Sequence, residues 1–322
     1  MRFNDPVHGS FKVEEEVLAE LVESGPVQRL KHVSQAGPPE HFLDKPGITR
    51  FDHSLGVMQL LRHYDASVEE QIAGLLHDVP HTAFSHVVDF VFDTENHEYH
   101  ENFLEDVVMD SEIPEILERH GLDTGYILEE ENFPLLEREL PDLCADRIDY
   151  FLREAKVGQG WSIGRLLESL EVDGERFVLD DREVAEEYAL KYIRADEESW
   201  ANPREVAVFH LFAKALRRAM DEGILAEEDL FGTDEEVLRK LEESGSERVL
   251  EPLERLEEGF DVVLDEEDPD FVEDTKVRFV DPLVVDGGER LRVTDYSERV
   301  RKRIEEHRDF VESGYPIRMV EG

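Results

Sequence analysis

The spacing of apolar and polar residues predicts that most of the chain up to about residue 225 is helical. The clearest segment begins at Ser67, because Ser67 and Glu70 have the spacing of a capping box. Apolar residues then recur at positions i, i+3, i+4 and i+7 from Ile72 to Val79, which is the period of an amphipathic helix. Pro80 disfavours helical geometry at the residue before it, so this helix is expected to end at Val79. A second helix is expected to start with Pro80 in its first turn.

The pattern changes from purely helical to mixed in the second half of the chain. Asp173-Gly174 lies between two short apolar runs and predicts a hairpin. The other predicted segments are helices over 182–194 and 203–221, two very acidic helices over 234–256, an acidic loop over 261–274, and a turn at 286–288 flanked by 276–285 and 290–293. The fold class is therefore mainly α, with a helical core over residues 1–232 and a smaller, acidic C-terminal α+β lobe over residues 233–322.

The charge of the chain is extreme and is spread along its whole length. Asp and Glu number 80 against 35 Lys and Arg, which gives a net charge of −45. The hydrophobic content of 40% and the clear periodicity argue against intrinsic disorder. Because only nine of the basic residues are Lys and 26 are Arg, the composition predicts a halophilic protein from a molar-salt cytoplasm. At such salt the Debye length falls to ~3 Å and self-repulsion is screened.

The same composition bears on partners and location. Nucleic acid is not an expected partner, since the chain lacks a general basic surface for phosphates. No apolar stretch approaches the ~20 residues that a membrane span needs, and the N terminus has no apolar signal region. Cys144 is the single cysteine and cannot form an internal disulfide, which fits a reducing compartment. We therefore expect a cytoplasmic protein without a membrane partner, with Cys144 as core filler.

Three histidines and an aspartate lie within one segment of ten residues, 77–86. His77 and Asp78 offer a divalent metal one nitrogen and one oxygen from adjacent positions. His81 and His86 can donate or accept protons near neutral pH. A lone His-Asp pair is usually a helix cap, but three further polar phrases accompany this one: Arg50-Phe51-Asp52-His53, His97-Glu98 and Asp146-Arg147-Ile148-Asp149-Tyr150.

Together these phrases resemble the HD superfamily of metal-dependent phosphohydrolases, and within it the deoxynucleoside triphosphate triphosphohydrolases. The matching phrases, in order, are Asp5-Pro6-Val7-His8-Gly9, Gln28-Arg29-Leu30-Lys31 running to Gln35, Thr49 to Gly56, Leu75 to Asp78, Phe84-Ser85-His86, His97-Glu98 and Asp146 to Tyr150, with a weaker echo at Asp281-Pro282. The resemblance covers most of the chain. It implies an HD-domain helical bundle for the core over 1–232, with a metal site within residues 50–150.

The resemblance implies that one divalent metal ion is bound by His53, His77, Asp78 and Asp146. Two imidazoles and two carboxylates would neutralise such an ion and, in a six-coordinate site, leave positions for water and phosphate oxygens. The donor set suits Mn²⁺, Fe²⁺, Ni²⁺, Zn²⁺ or Mg²⁺ without distinguishing them, and Mg²⁺ could also accompany a triphosphate substrate. A structural zinc site is not expected with one cysteine.

The resemblance also implies which residues move protons and contact the substrate. His86 is the candidate general acid, and Asp89 is the carboxylate that orients its ring and raises its pKa. His97 matches a second family histidine, although His100 repeats its pattern, and His81 matches a histidine beside the substrate. The positions that match nucleotide-contacting residues are Gln35, Arg50, Arg147 and Tyr150.

The chain departs from the family pattern in three places, and at a fourth position it differs from the best-studied relatives. Pro80 replaces the usual Gly of the HD-x-Gly-His phrase, and Ile48 replaces a His. The aromatic-x-His-Lys phrase of some relatives is not reproduced around His210, so a triphosphate-binding Lys is missing there. Arg147 stands where the best-studied relatives carry Lys, which keeps the charge and changes its geometry. Candidate substitutes for the missing Lys are Arg194, Arg204, Arg217 and Arg218.

The resulting hypothesis is a phosphohydrolase that releases a deoxynucleoside and triphosphate from a dNTP. An activated water would attack the α-phosphorus while His86 protonates the 5′ oxygen. Two alternatives stay open: the same chemistry on a nucleoside monophosphate, cyclic nucleotide or other phosphate ester, and a non-catalytic nucleotide-binding sensor. The intact ligand set and the His86/Asp89 pair argue against the sensor. Because the family often forms multimers, a homo-oligomer is expected.

Overall fold

The computed structural model describes residues 1–92 and 99–321 and is mainly helical, which confirms the predicted fold class. Its α-helices are α1 Glu16–Val22, α2 Gly25–Arg29, α3 Pro38–Phe42, α4 Arg50–His63, α5 Val68–Leu76, α6 Val87–Phe92, α7 Leu104–Met109, α8 Ile113–Arg119, α9 Thr124–Leu128, α10 Ala145–Arg153, α11 Gly164–Ser169, α12 Arg182–Ala195, α13 Pro203–Asp221, α14 Asp234–Glu242, α15 Glu247–Glu258, α16 Val293–Tyr296 and α17 Glu298–Glu312. Its strands are β1 Arg2–Asp5, β2 Gly9–Lys12, β3 Leu170–Val172, β4 Phe177–Leu179, β5 Asp261–Leu264, β6 Phe271–Glu273, β7 Leu283–Asp286, β8 Glu289–Arg292 and β9 Tyr315–Val320. None of the helices in the described ranges is long and apolar enough to cross a membrane.

The strands form small sheets at the edges of the helical core, in the orders β1-β2, β3-β4-β7-β8 and β5-β9-β6. The predicted hairpin at Asp173-Gly174 is confirmed, because β3 and β4 pair antiparallel and Gly174 has a φ of 67°. The turn at 286–288 joins β7 to β8, as predicted. The prediction of a loop over 261–274 is wrong. That segment contains β5 and β6, which both pair with β9 at the far end of the chain, a partner that local sequence patterns do not reveal.

Two hydrophobic clusters fill the interior. The first cluster joins side chains of α1, α4, α5, α10 and α12, for example Leu55, Leu76 and Ile148. The second cluster joins the segment 83–91 to α13, α15 and β9, and includes Phe84 and Phe212. The residues between α5 and α6 join both clusters, since Val79 belongs to the first and Ala83 and Phe84 belong to the second.

The C-terminal segment packs closely against the predicted core. Strand β4 pairs parallel with β7, with Leu179 opposite Val284, so one sheet contains strands from both sides of residue 232. Val280 and Val284 are fully buried in the first cluster. The division into domains at residue 232 stays a prediction, and the contacts across it are part of the interior.

Helix α5 ends earlier than its apolar period suggests. Its last residue is Leu76 with His77 as the C-cap, three residues before the predicted end at Val79. Ser67 Oγ accepts the N–H of Glu70 at 3.1 Å, which is one half of the predicted capping box. The Glu70 carboxylate instead accepts the N–H of Leu135 at 2.7 Å, so the reciprocal half is absent and α5 is tied to the segment before α10.

The prediction of a helix starting at Pro80 is wrong. Residues 77–86 form turns, and α6 begins only at Val87. Phe84 and Ser85 have φ values of 59° and 52°, a left-handed conformation that interrupts any helix. The cause is tertiary, since the Phe84 N–H donates to Asp234 Oδ1 at 2.7 Å from the start of α14. The ten-residue segment with the histidines is therefore a braced loop between two helices.

Candidate metal centre and active site

Helix α4 brings the first site residues into the interior. Thr49 and Asp52 form a complete capping box at its N terminus, so Arg50 and His53 point inward from the first turn. His53 is fully buried, and Arg50 is 5% exposed. Gly56, one turn after Asp52, lets α10 approach closely, since a Cβ there would lie 2.1 Å from Arg153 Nη2 and 2.2 Å from Asp149 Oδ1.

The four predicted ligands come together from three elements. His53 lies on α4, His77 and Asp78 lie just after α5, and Asp146 lies in the first turn of α10. His53, His77 and Asp146 each offer a ligand atom within 4.8 Å of the other two. Asp78 lies beside them, with its Oδ1 3.4 Å from His77 Nε2 and its Oδ2 3.8 Å from His53 Nε2.

Two observations show that these side chains fit a divalent cation. His77 Nδ1 lies 2.9 Å from the carbonyl oxygen of Gly74, to which it donates. A ring that carries its proton on Nδ1 has its lone pair on Nε2. That buried Nε2 atom has no hydrogen-bond partner within the described residues. His53 Nε2 lies 2.8 Å from Asp146 Oδ1, so a nitrogen lone pair and a carboxylate face the same point. An N/O set of this kind suits the borderline and hard divalent ions.

The electrostatics of the centre attract positive charge. Burial acts to lower the pKa of His53, but Asp146, Asp149 and Asp78 outweigh it and hold that pKa above its ordinary value. Burial also acts to lower the pKa of His77, but the carboxylates of Asp78 and Asp146 outweigh it and raise that pKa to about 9. The carboxylates therefore favour positive charge at both rings, so a cation bound there would compete with protons and its binding would be proton-linked.

Asp149 supports the candidate centre from the Nδ1 side of His53. The sequence analysis assigned this residue no role. Its carboxylate lies 2.7 Å from His53 Nδ1 and 2.7 Å from His8 Nε2, and it accepts Arg153 Nε at 2.6 Å. Asp149 fixes the tautomer of His53, because a ring that donates from Nδ1 presents Nε2 to the site. Two features of the sequence pointed to this role. One is the stripe at 146, 149, 150 and 153 on α10. The other is the phrase around His8, which β1 and β2 bring to this carboxylate.

Arg50 connects the ligands to the braced loop. Its Nη1 donates to Asp78 Oδ2 at 2.9 Å, and its Nε donates to Ser85 Oγ at 2.9 Å. Ser85 in turn donates to the carbonyl oxygen of Ser34 at 2.5 Å. Asp234 accepts the N–H groups of Ser34 and Phe84. A continuous chain of hydrogen bonds therefore runs from α14 to Asp78.

A cluster of three imidazoles adjoins the ligands. His81 Nε2 lies 3.2 Å from Asp78 Oδ1, and the His81 ring stacks on His100 with centroids 3.7 Å apart. The His86 ring is edge-on to both, at 5.0 Å from His81 and 5.6 Å from His100. Of the two histidines that repeat one pattern, His100 lies in this cluster, and His97 lies outside the described residues.

The His86/Asp89 pair has the predicted contact, with His86 Nδ1 3.1 Å from Asp89 Oδ2. The net effect on the acid differs from expectation. Burial lowers the pKa of His86 below its ordinary value, and this outweighs the raising effect of Asp89. Burial also lowers the pKa of His100, to about 3, and that of His81. The cluster is therefore neutral at pH 7 in the free protein.

The predicted nucleotide-contacting residues occupy varied environments. The carbonyl oxygen of Gln35 lies 3.4 Å from Arg50 Nη2, so this residue borders the loop. Arg147 is 8% exposed and paired with Glu137, whose Oε1 lies 3.2 Å from its Nη2. It also donates to the carbonyl oxygen of Asp142 at 2.7 Å. Tyr150 shares a hydrogen bond with the hydroxyl of Tyr192 and packs edge-on to Trp200.

Comparison with known proteins places this geometry in a family. The model described as HD domain matches residues 50–154, which contain all four predicted ligands and His86. The uncharacterized protein YdhJ of Bacillus subtilis is 39% identical over 311 residues, with 94% of each chain covered. The metal-dependent phosphohydrolase cns2 of Cordyceps militaris is 32% identical over 298 residues, covering 89% of this chain and 85% of the relative.

The chain belongs to the HD-domain family of metal-dependent phosphohydrolases.

More distant proteins share parts of this HD-domain chain or its fold. The deoxynucleoside triphosphate triphosphohydrolase SAMHD1 of Gallus gallus is 28% identical over 162 residues, which cover 42% of this chain and 26% of the relative. A crystal structure of a hypothetical protein from Aquifex aeolicus superposes with a TM-score of 0.68 at 21% identity, covering 96% of this chain and 99% of that one. This likeness shows a common fold over nearly the whole length.

Proposed function

We propose that this HD-domain phosphohydrolase cleaves deoxynucleoside triphosphates into deoxynucleoside and triphosphate. The observation that carries the proposal is the contact between two groups of side chains. The candidate ligands His53, His77 and Asp146 and the imidazole cluster of His81, His86 and His100 meet through Asp78, whose Oδ1 lies 3.2 Å from His81 Nε2. The distant similarity to SAMHD1 supports a dNTP as the substrate.

The metal-binding role falls to His53, His77, Asp78 and Asp146. Asp149 and Gly74 hold the two rings so that each presents Nε2. A divalent ion held by these residues would supply the acidification of a water molecule and the neutralisation of charge on the phosphate. Arg50 holds the Asp78 carboxylate in place and keeps its pKa well below the ordinary value against the effect of burial, so Asp78 is ionised at neutral pH.

Proton transfer to the leaving group falls to His86. Water forms a bond to the α-phosphorus, the bond from phosphorus to the 5′ oxygen breaks, and that oxygen takes a proton from His86 Nε2. His86 is neutral in the free protein, but the negative charge of a bound triphosphate raises its pKa. Asp89 directs the ring, because its carboxylate accepts from Nδ1 and leaves Nε2 for the substrate.

One observation favours a second candidate, a nucleoside monophosphate or other small phosphate ester. The cations next to the centre already have carboxylate partners, Arg50 with Asp78 and Arg147 with Glu137. His210, in the phrase where some relatives carry a Lys beside the His, lies 2.5 Å from Glu273. A monophosphate needs less positive charge than a triphosphate and would suit a site so neutralised.

A substrate panel separates the two. The purified chain, stripped of metal and then supplied with Mn²⁺ or Mg²⁺, is offered dNTPs, nucleoside monophosphates and cyclic nucleotides at molar KCl. The proposal expects metal-dependent release of deoxynucleoside and tripolyphosphate from dNTPs as the fastest reaction. Faster release of orthophosphate from monophosphates would establish the second candidate. Activity that persists after chelation would refute both.

A further inference from the structure

Two consecutive residues of the braced loop have a backbone conformation that needs support from outside the loop. Phe84 and Ser85 have φ values of 59° and 52°, in the left-handed region that residues other than glycine rarely adopt. Such conformations cost free energy and persist only where the surrounding contacts over-determine them. Because the two residues lie between His81 and His86, the contacts that hold them also determine how these imidazoles are placed relative to each other.

Much of the support comes from one short segment, residues 230–234. The carbonyl oxygen of Leu230 accepts the N–H of Ala83 at 2.7 Å. The carbonyl oxygen of Gly232 accepts Arg29 Nη1 at 2.8 Å. The other terminal nitrogen of this guanidinium, Nη2, donates to two carbonyl oxygens of the braced loop, those of Val79 and His81, at 2.8 and 2.7 Å.

Asp234 makes the central contact of this segment, from the first turn of α14. The residue is only 4% exposed. Its Oδ1 accepts the N–H of Phe84 at 2.7 Å, and its Oδ2 accepts both the N–H and the hydroxyl of Ser34, at 2.9 and 2.5 Å. His41 Nε2 lies 3.1 Å from the same Oδ2. Both carboxylate oxygens are therefore in use, and one side chain ties the braced loop to Ser34.

Ser34 passes this constraint on to the candidate ligands. Its carbonyl oxygen accepts the hydroxyl of Ser85 at 2.5 Å, and Ser85 Oγ accepts Arg50 Nε at 2.9 Å. Arg50 Nη1 in turn donates to Asp78 Oδ2 at 2.9 Å. The carboxylate of Asp234 is therefore connected through three residues to the carboxylate of a candidate metal ligand.

We propose that Asp234 is a positioning residue that holds the braced loop in the conformation needed for catalysis. It acts on Asp78 through Ser85 and Arg50, and on the loop histidines through the backbone of Phe84. The inference rests on the proposed function, because the braced loop carries the general acid of that reaction. The HD match ends at residue 154, so a residue of the C-terminal segment would complete the geometry of the site.

The test compares Asp234→Asn with Glu235→Gln, both in the full chain. Asn has nearly the size of Asp but a single acceptor oxygen, so the donors at one end of the side chain lose their acceptor. Glu235 is a matched control, because it is exposed, lies in the same first turn of α14 and loses the same charge near the helix N terminus. Asp234→Glu keeps both oxygens and displaces them by one methylene.

Ser85→Ala interrupts the same chain of hydrogen bonds further along. The double variant Asp234→Asn/Ser85→Ala therefore shows whether Asp234 acts through Ser85. Amide hydrogen exchange followed by mass spectrometry measures local opening of residues 77–86. Titration with Mn²⁺ gives the metal affinity, initial rates with a dNTP at saturating Mn²⁺ give kcat and KM, and circular dichroism melts give the global stability.

We expect Asp234→Asn to speed hydrogen exchange in residues 77–86 and to weaken Mn²⁺ binding by roughly tenfold, the low end for groups that orient ligands. The kcat should fall roughly 10- to 100-fold, because a displacement of about 1 Å in a site can have this effect. The KM should change less than about threefold, since Asp234 does not touch the substrate. Asp234→Glu should be intermediate, and Glu235→Gln should match the unchanged chain.

The double variant should lose less kcat than the product of the two single losses, because both residues belong to one chain of contacts. Unchanged kcat and unchanged exchange in Asp234→Asn would overturn the inference. So would losses that multiply fully in the double variant, or a lower melting midpoint with kcat unchanged, which marks a purely structural role. Should Asp234→Asn not fold, Asp234→Glu decides, and a kcat equal to that of the unchanged chain then counts against the inference.

The outcome for the proposed function is separate. If the unchanged chain hydrolyses no dNTP, the proposed function fails, and hydrogen exchange and the Mn²⁺ titration still decide whether Asp234 holds the loop and its candidate ligand. If the chain cleaves dNTPs and Asp234→Asn behaves like the unchanged chain in all measurements, the function stands and the assignment of Asp234 fails.

Discussion

At the scale of single residues, the surroundings of each titratable group determine what it can do. Five histidines of the candidate site have shifted pKa values, and the directions differ because their neighbours differ. Carboxylates outweigh burial at His53 and His77 and raise their pKa values, whereas burial prevails at His81, His86 and His100. One side of the site therefore attracts a cation, and the other holds neutral rings that can take a proton when an anionic substrate binds.

His86 gives the sharpest prediction at this scale. As the general acid, His86→Ala should keep bound metal and lose about 10²- to 10⁴-fold in kcat, the usual contribution of positioned proton transfer. Asp89→Asn should lose less, and Asn can still accept the N–H of Tyr99 that Asp89 Oδ1 accepts at 3.1 Å. The double variant should resemble His86→Ala, because effects within one catalytic unit do not add. Steady-state rates and metal analysis decide this, with exposed His63→Ala as control.

The pH dependence of kcat/KM tests the same pair, because the direction of its shift in a variant is predicted. The protonated form of His86 is the active one, so kcat/KM should fall as pH rises through its pKa. Asp89 acts to raise that pKa against the larger effect of burial. Removing its charge in Asp89→Asn should therefore move the falling limb to lower pH. If the falling limb of the kcat/KM profile does not move, Asp89 does not act through His86. Fully additive losses in the double variant would lead to the same conclusion.

At the scale of elements, the contact between α4 and α10 positions the candidate ligands. The site depends on Gly56, because the carboxylate of Asp149 and the guanidinium of Arg153 lie where its side chain would be. Asp149 is hydrogen-bonded to Nδ1 of His53, so any displacement of α10 also turns this candidate ligand. The stripe of polar residues on α10 is thus an internal layer between helices and not a solvated face.

We predict that Gly56→Ala destabilises the protein by about 1–3 kcal/mol, the usual cost of overpacking an interior contact. Metal affinity should fall with it, since the new Cβ must push Asp149 or Arg153 aside. Gly164→Ala on α11 is a matched control, because outside the neighbouring residues and the backbone of its own helix no heavy atom lies within 4 Å of the Cβ it adds. Thermal melts and a metal titration measure both effects. Equal melting midpoints for the two variants would mean that the close approach at Gly56 does not matter.

The individual helices and loops show how much of the fold can be predicted from the sequence alone. The helices predicted over 182–194 and 203–221 appear as α12 and α13, because their caps and apolar periods are local signals. The segment 77–86 was misread as a helix end and a helix start. Its conformation depends on Asp234, 150 residues after Phe84, and such a contact leaves no local pattern.

The candidate site shows the same limit. Family phrases predicted that His53, His77, Asp78 and Asp146 lie together, and their roles as ligands stay a prediction that the geometry supports. The contribution of His8 was missed, since only the folded β1-β2 hairpin brings its Nε2 within 2.7 Å of Asp149.

At the scale of the whole molecule, net charge dominates. The −45 charge is carried by a chain whose surface ion pairs are mostly exposed, such as Lys12 with Glu14 and Arg165 with Glu187. Exposed pairs of this kind contribute little to stability, because water and salt screen them. Repulsion among the uncompensated carboxylates therefore opposes folding whenever it is not screened.

We predict that the melting midpoint rises between about 0.05 M and about 2 M KCl. The Debye length shortens from more than 10 Å to about 3 Å or less over this range, so repulsion across the surface disappears. Because electrostatic screening saturates, most of the rise in the melting midpoint should occur below about 0.5 M KCl. General salting effects, by contrast, continue to grow at higher KCl concentrations. Circular dichroism melts over a series of KCl concentrations measure this. The same midpoint at both ends would contradict the expectation of a halophilic protein.

The central claim, that water attacks the α-phosphorus of a dNTP while the 5′ oxygen leaves with the sugar, can be tested by isotope labelling. The protein hydrolyses a dNTP in ¹⁸O-labelled water with Mn²⁺, and mass spectrometry weighs the separated products. The account predicts one ¹⁸O atom in tripolyphosphate and none in the deoxynucleoside, because the new bond forms at phosphorus. Label in the deoxynucleoside, or release of a deoxynucleoside mono- or diphosphate in place of tripolyphosphate, would contradict it.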